Sequence, residues 1–395
     1  MKVHFPLLEN DKELVYLDSA ATTQKPFAVI DAMRFYLQEA CGTVHRAVYS
    51  LAAEATRHMH AIRQQTASFI GANSSEEIIF TRGATQGINL VAFSFGELFV
   101  HEGDEILICE TEHHANIVPW QQLCQRKKAH LRIIPVNDQG MIDLVQLQMM
   151  FSSRVKLIAI AWLANATGVI HPVYDVIRMA HARGIVVLVD AAQMVAHRLL
   201  CVAELDADFV VFSAHKMYGP TALGILYGKS KWLEAMIPYE TGGDMIEEVS
   251  FTKTTFQNPP LRFEAGTPSI GEIFGFGAAM TFLQEIGMAA LAYHEEELSA
   301  YAVEKMRAVF DLAFLVPPQS SIISFTCQGC HPLDLGALLD SKKVCVRTGH
   351  LCAQPALRRF GKSSVMRLSL GMYNSKEDID RFITALCEGI DFLRR

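Results

Sequence analysis

Ile185-Val-Val-Leu-Val-Asp190-Ala-Ala-Gln193 and, one apolar run later, Phe209-Val-Val-Phe-Ser-Ala-His-Lys-Met-Tyr-Gly-Pro220 are the stretches from which the fold can be read. Each is a short, β-branched or aromatic run that stops abruptly at polar residues. Runs without polar alternation are the mark of strands covered on both faces, as in a parallel sheet. Similar runs recur at Ile78-Thr81, Glu105-Cys109, Leu131-Val136 and Leu157-Leu163, with helical patterns between them. The rhythm predicts an α/β chain with a mostly parallel central sheet and helices on both faces. Open α/β folds bind ligands at the carboxyl ends of their strands, so Asp190, Gln193, Ser213, His215 and Lys216 stand where chemistry is expected.

Working outward, the pattern changes beyond about Gly275 to long helical stretches, Gly277 to Leu283 and Met288 to Phe310. A mixed segment follows with Ile322-Phe325 and Val344-Arg347. A chain of 395 residues exceeds the size of one ordinary core. Residues 20–280 are therefore expected to form a large domain, and residues 1–19 with 281–395 a smaller α+β domain, joined by a long helix. The composition is 50% hydrophobic and 19% charged, which suits a compact enzyme. A formal charge of -7 argues against general attraction to nucleic acid or anionic membranes. Nine scattered cysteines read as reduced thiols. Met1 to Glu13 holds neither a signal core nor an anchor, and the internal apolar runs are too short to cross a bilayer. The expected location is the cytoplasm.

Lys216 falls just past a buried strand and before a Gly-Pro break. Desolvation lowers an amine from its ordinary pKa of about 10.4 toward the range where it attacks an aldehyde. Asp190 can pair with a protonated pyridine nitrogen and so keep the ring an electron sink, although an aspartate after a strand is also a common helix N-cap. Gln193 is within reach of a ring hydroxyl. Thr81-Arg-Gly83-Ala84-Thr85 offers backbone N-H groups for a phosphate at the start of a helix near Gln86, and Ser213 and His215 can complete the cup. His215 reads equally well as a structural histidine. Cys352 follows a strand and a glycine, with Arg347 and His350 nearby to favour a thiolate, yet one cysteine among nine is more often an inert, buried one. Cys327-Gln-Gly-Cys330-His331 matches the haem-attachment pattern. Without an export signal or a second Cys/His pair at ligand spacing, neither haem nor zinc is expected there, and no metal elsewhere.

Together these motifs resemble fold-type I, class V PLP-dependent transferases, and within them the SUF-type cysteine desulfurases. The resemblance spans nearly the whole chain. It rests on Tyr16-Leu-Asp-Ser-Ala-Ala-Thr-Thr23, Val44-His45-Arg46, Glu112-His113-His-Ala-Asn-Ile-Val-Pro-Trp120, Asn165, Asp190-Ala-Ala-Gln193, Ser213-Ala-His-Lys216, Arg262-Phe-Glu-Ala-Gly-Thr-Pro268, Arg347-Thr-Gly-His-Leu-Cys352 and Val365-Met-Arg-Leu-Ser-Leu-Gly371. It implies that Lys216 carries pyridoxal 5'-phosphate with Asp190, Gln193, Ala84, Thr85, Ser213, His215 and Asn165 around it. His113 would stack on the ring and move protons. Arg367 would clamp the substrate carboxylate, helped by Asn165, His45 and Arg347, and Cys352 would take the sulfur of L-cysteine as a persulfide. An unpaired arginine in an apolar strand would be costly, which favours the ligand role for Arg367.

Thr267 is implied to reach the cofactor phosphate of a second subunit, hence a homodimer, and the persulfide is expected to pass to a small SUF-type acceptor protein. Leu351 stands where a second histidine is common, and Ala84-Thr85-Gln86 where Thr-Thr-Glu is common. Three alternatives stay open on the residues alone: a selenocysteine lyase acting on L-selenocysteine, another class V aminotransferase, and a non-catalytic sulfur-carrier scaffold that has kept the fold.

Overall fold

The computed structural model describes residues 1–45 and 47–395; Arg46 of the Val44-His45-Arg46 stretch lies outside them. A seven-stranded sheet forms the centre, in the order Ile78–Thr81, Gly224–Gly228, Phe209–Ser213, Val186–Asp190, Val155–Ala161, Glu105–Cys109, His130–Ile134. All but Gly224–Gly228 run in one direction. That strand was not read from the sequence, and it separates Ile78–Thr81 from the parallel set. The reason is the short connection, residues 214–223, since a parallel crossover needs about a dozen residues or more.

Every residue of Val186–Asp190, Phe209–Ser213 and Gly224–Gly228 is buried. Side chains alternate between two cores: Val187, Val189, Val210 and Phe212 pack on one face, Val186, Leu188, Phe209 and Val211 on the other. Full burial of each such side chain contributes about 1.5–3 kcal/mol, which is why both faces carry helices. Other strand limits shift. The run expected at Leu157-Leu163 spans Val155–Ala161, so residues from Trp162 onward leave the sheet and are free to form a turn. Leu131-Val136 becomes His130–Ile134.

The helix expected from Gly277 begins earlier, at Ile270, and runs to Ile286. Its glycines do not break it because they face other helices: a Cβ on Gly275 would lie 2.7 Å from Met33 Cγ. Met288–Arg307 follows at 74°. Among the described residues no single helix is long and apolar enough to cross a membrane.

A second, antiparallel sheet has the order Leu312–Phe314, Ile322–Cys327, Val365–Ser369, Arg347–Gly349. The helices Pro332–Ser341 and Lys376–Leu393 pack near it, the latter opened by a Ser375/Asp378 capping box. The expected single strand Val344-Arg347 is two. Val344–Cys345 pairs with Val15–Tyr16, and Arg347–Gly349 joins the second sheet. Residues 1–19, expected with the smaller unit, divide between cores: Val15 and Leu17 pack with Leu298, Phe325 and Met366, while Phe5 and Leu8 join the core of the large sheet.

Candidate active site

The carboxyl ends of the parallel strands and the turn after Arg347–Gly349 enclose a cleft of about 260 Å³. Its walls include Lys216, Asp190, His113, Asn165, Gln193, Ala84, Thr85, Ser213, His215, Arg347, Cys352 and Arg367. Lys216 and Cys352, remote in sequence, therefore face one space.

Asp190 ends its strand fully inside the protein and accepts the Ala192 N-H at 2.9 Å. Burial pushes this carboxyl up while the Lys216 charge opposes the shift. For Lys216, burial pulls the amine down, Asp190 opposes, and Arg367 adds to the lowering. The two groups thus hold each other's charge against desolvation. The turn bearing Lys216 is gripped from outside: the His215 carbonyl receives the Thr23 N-H at 3.0 Å, the Thr22 hydroxyl at 3.1 Å and Lys25 Nζ at 2.8 Å.

The helix Ala84–Phe99 opens on the cleft at Ala84, two residues before the position expected from the sequence. Ser213 Oγ accepts the Ala84 N-H at 2.9 Å. Gly83 and Gly224 pack backbone on backbone, since a Cβ on Gly224 would lie 2.4 Å from Gly83 Cα. The remaining N-H groups of the first turn have no helical acceptor and suit an anion.

His113 caps its own turn, Nδ1 accepting the Ala115 N-H at 3.0 Å, which places the ring proton on Nε2. Burial, then Lys216, His114 and Arg367, pull it down to about 3, so the ring is neutral. Burial, then Lys216 and Lys25, pull His215 down to about 4. Gln193 donates Nε2 to the Ala20 carbonyl at 2.8 Å, leaving its oxygen for a donor.

Cys352 sits on a loop with Leu351 and Cys352 both at positive φ, 55° and 53°. Such conformations cost about 1–3 kcal/mol each for non-glycine residues. The loop is held by Asn165 Nδ2 donating to the Leu351 carbonyl at 2.7 Å and the His114 N-H donating to the Cys352 carbonyl at 2.7 Å. His350, expected to favour the thiolate, accepts the Cys352 N-H through Nδ1 at 3.1 Å. The cations sharing the cleft wall with this thiol include Lys216, Arg367 and Arg347.

Arg367 is buried in its strand and held by the protein: NH2 donates to Asp18 Oδ1 at 3.0 Å and NH1 to the Asn165 carbonyl at 3.0 Å. Asp18 reaches it because residue 18 bridges Ser369 in parallel, a pairing across the whole chain that the sequence does not display. Two buried polar atoms of cleft-lining residues have no partner, Arg367 Nε and Asn165 Oδ1. One donor and one acceptor, with an amine, a carboxylate and a helix N-terminus, fit a small anionic, aromatic and carboxylate-bearing set of ligands such as pyridoxal phosphate with an amino acid.

His45 does not line this cleft; its ring lies 5.8 Å from that of His60. Thr267 lines a separate hollow with Arg82, Gln86 and Glu240. Cys327 is buried in its strand, and burial pushes its thiol up to about 12. Glu112, given no role from the sequence, accepts the Ala161 N-H at 2.8 Å and Asn116 Nδ2 at 2.7 Å, fixing the turn that carries His113. Burial pushes it up to about 8.

The histidines also set an acid limit on stability. His171, outside the cleft, meets Thr111 Oγ1 at 3.0 Å through Nε2, and burial pulls it down to about 4. A folded-state value below the ordinary 6.5 means that the unfolded chain binds the proton first as pH falls. The advantage of the neutral ring is complete above about 6.5 and is lost on acidification toward about 4; at pH 5 the loss from His171 is about 2 kcal/mol. Melting temperature is expected to fall between pH 7 and 5, less steeply in His171→Gln. Equal slopes in the two proteins would remove this role.

The aminotransferase class-V family model matches residues 15–382. A cysteine desulfurase of Klebsiella pneumoniae (strain 342) is 47% identical over 391 residues, 98% of this chain and 96% of that protein. Among solved structures, the cysteine desulfurase CsdA of Escherichia coli, in an S-sulfonic acid form, superposes with a TM-score of 0.92 at 36% identity, covering 99% of this chain and 98% of that one. The apo cysteine desulfurase of Thermococcus onnurineus NA1 superposes with a TM-score of 0.94 at 34% identity, covering 99% and 97%.

Proposed function

We propose a division of labour for a chain that belongs to the class V aminotransferase family and is a pyridoxal-phosphate-dependent cysteine desulfurase: Lys216 carries the cofactor, Arg367 holds the substrate carboxylate and Cys352 receives the sulfur. The observation that carries it is the convergence of Lys216, Asp190, Arg367 and Cys352 on one cleft.

When bound, the cofactor supplies an electron-accepting ring for the pair released at the substrate Cα. Asp190 is the carboxylate that keeps the pyridine nitrogen protonated. Lys216, lowered by burial, takes the Cα proton and later returns it. His113, neutral with its proton on Nε2, borders the same space, and Asn165 Oδ1 is the free acceptor for a hydroxyl or ammonium donor. Cys352 attacks the substrate sulfur. An S-S bond forms as the Cβ-S bond breaks, the electron pair stays with carbon, and protonation there yields alanine. Dividing transfer into two covalent steps lowers each barrier. After incubation with L-cysteine, mass spectrometry should find one added sulfur on Cys352 and alanine in solution; sulfur on another residue would reject the assignment. L-selenocysteine offers the same geometry with a better leaving atom, and its rate in the same assay ranks the two substrates.

Finer readings follow from the resemblance. The persulfide passes to a small SUF-type acceptor protein, and all nine thiols are free, which suits a reducing compartment such as the cytoplasm. The units 20–280 and 1–19 with 281–395 remain the proposed division. Thr267, outside its own cleft, and the exposed Val48 and Phe251 support a homodimer in which Thr267 serves a second copy. Analytical ultracentrifugation is expected to give a dimer, and a fully active monomer would remove that part.

A further inference from the structure

We infer that Asp18 is a positioning residue for substrate recognition: it holds the guanidinium of Arg367 in place at the cleft wall, where the substrate carboxylate is to be met. The inference rests on the reading of Arg367 given above and adds a residue to it.

Arg347 and Arg367 stand directly opposite each other in the antiparallel ladder of the second sheet. Like charges in that position repel, and Arg367 is also buried, its side chain 3% exposed. Asp18 resolves both problems from the segment just after the strand Val15–Tyr16. Its backbone bridges Ser369, two residues beyond Arg367, and its carboxylate lies 3.0 Å from Arg367 NH2 and 3.8 Å from Arg347 NH1. The carboxylate is itself mostly buried, so it is not an ordinary surface partner.

The count of donors shows what remains. NH2 is engaged by Asp18 and NH1 by the Asn165 carbonyl. These take two of the five guanidinium N-H groups, so donors remain on a residue that lines the cleft, Nε among those without a partner. A guanidinium recognises a carboxylate through two adjacent N-H groups in a fixed fork. With one end tied down, Arg367 can offer its remaining N-H groups with little rotamer freedom left to lose on binding. Asp18 touches neither substrate nor cofactor in this arrangement and acts only through Arg367.

The alternative is competition: Asp18 occupies Arg367 and must be displaced before substrate binds. The two ideas predict opposite signs. If Asp18 positions the fork, Asp18→Ala raises KM for L-cysteine about tenfold or more while kcat stays within about threefold. The inhibition constant of 3-mercaptopropionate, which has thiol and carboxylate but no amine, rises by the same factor. That of cysteamine, which lacks the carboxylate, stays within about twofold. Asp18→Asn keeps the acceptor oxygen and should lose affinity only about threefold; it gives the answer should the alanine variant not fold.

Tighter or unchanged binding of 3-mercaptopropionate in both variants would overturn the inference, as would an equal loss for cysteamine. Arg367→Ala is measured alongside. If it leaves both inhibitors unaffected, the assignment of Arg367 has failed; if it weakens 3-mercaptopropionate and the Asp18 variants do not, Asp18 alone has failed.

Discussion

Lys216→Ala is expected to lower alanine formation from L-cysteine by about 10³-fold or more, with the purified protein losing the absorbance of a covalently held cofactor. Two functions leave with one amine: attachment of the cofactor and the base that handles the Cα proton. The side chain is part-buried at the cleft wall, and burial pulls its amine down. Its charge is held there at a desolvation cost that Asp190 only partly offsets. Removing it should not unfold the chain, because the turn is secured through the His215 backbone by Thr22, Thr23 and Lys25 rather than through Lys216 itself. The expected melting temperature is within a few degrees of the parent. Retained turnover at more than about a tenth of the parent rate would show that another amine does this work. Lys25, the other buried amine near this turn, is the group to test next, since burial pulls it down to about 7.

Cys352→Ala is expected to leave cofactor binding and its absorbance intact and to abolish the added sulfur, with turnover of L-cysteine falling at least about a hundredfold. Eight other thiols compete for this role in principle. Burial pushes Cys109 and Cys327 up to about 12 and Cys124 up to about 11, which leaves them protonated and inert. Cys345 and Cys387 are raised by burial as well. Cys352 alone among the nine lines the cleft, and its loop is kept in a left-handed conformation by hydrogen bonds from Asn165 and His114. Persulfide accumulating elsewhere in the variant at the parent rate would refute the assignment.

Legibility differs by residue. Asp190 is legible because it ends a buried strand and Lys216 because it closes the turn just after one, and the carboxyl edge of a parallel sheet is a place that local sequence specifies. Gly224–Gly228 was missed because a five-residue run bounded by glycines resembles a turn as much as a strand. The bond from the Cys352 N-H to His350 Nδ1 was not legible, because nearness in sequence does not say which nitrogen is taken by the backbone. Asp18 went without a role because nothing local distinguishes it from any aspartate after an apolar pair.

The sequence by itself determined most strands of the parallel set, their two-sided burial and the candidate reactive groups, since these depend on side-chain chemistry and on period within a few residues. Only the tertiary structure decided the antiparallel insertion beside Lys216, the ion pair of Asp18 with Arg367 and the meeting of Cys352 with Lys216. The ion pair and the meeting of Cys352 with Lys216 join segments more than a hundred residues apart, where the free energy is set by which buried charges and backbone groups find partners, and no short window of sequence contains both halves of such a pair.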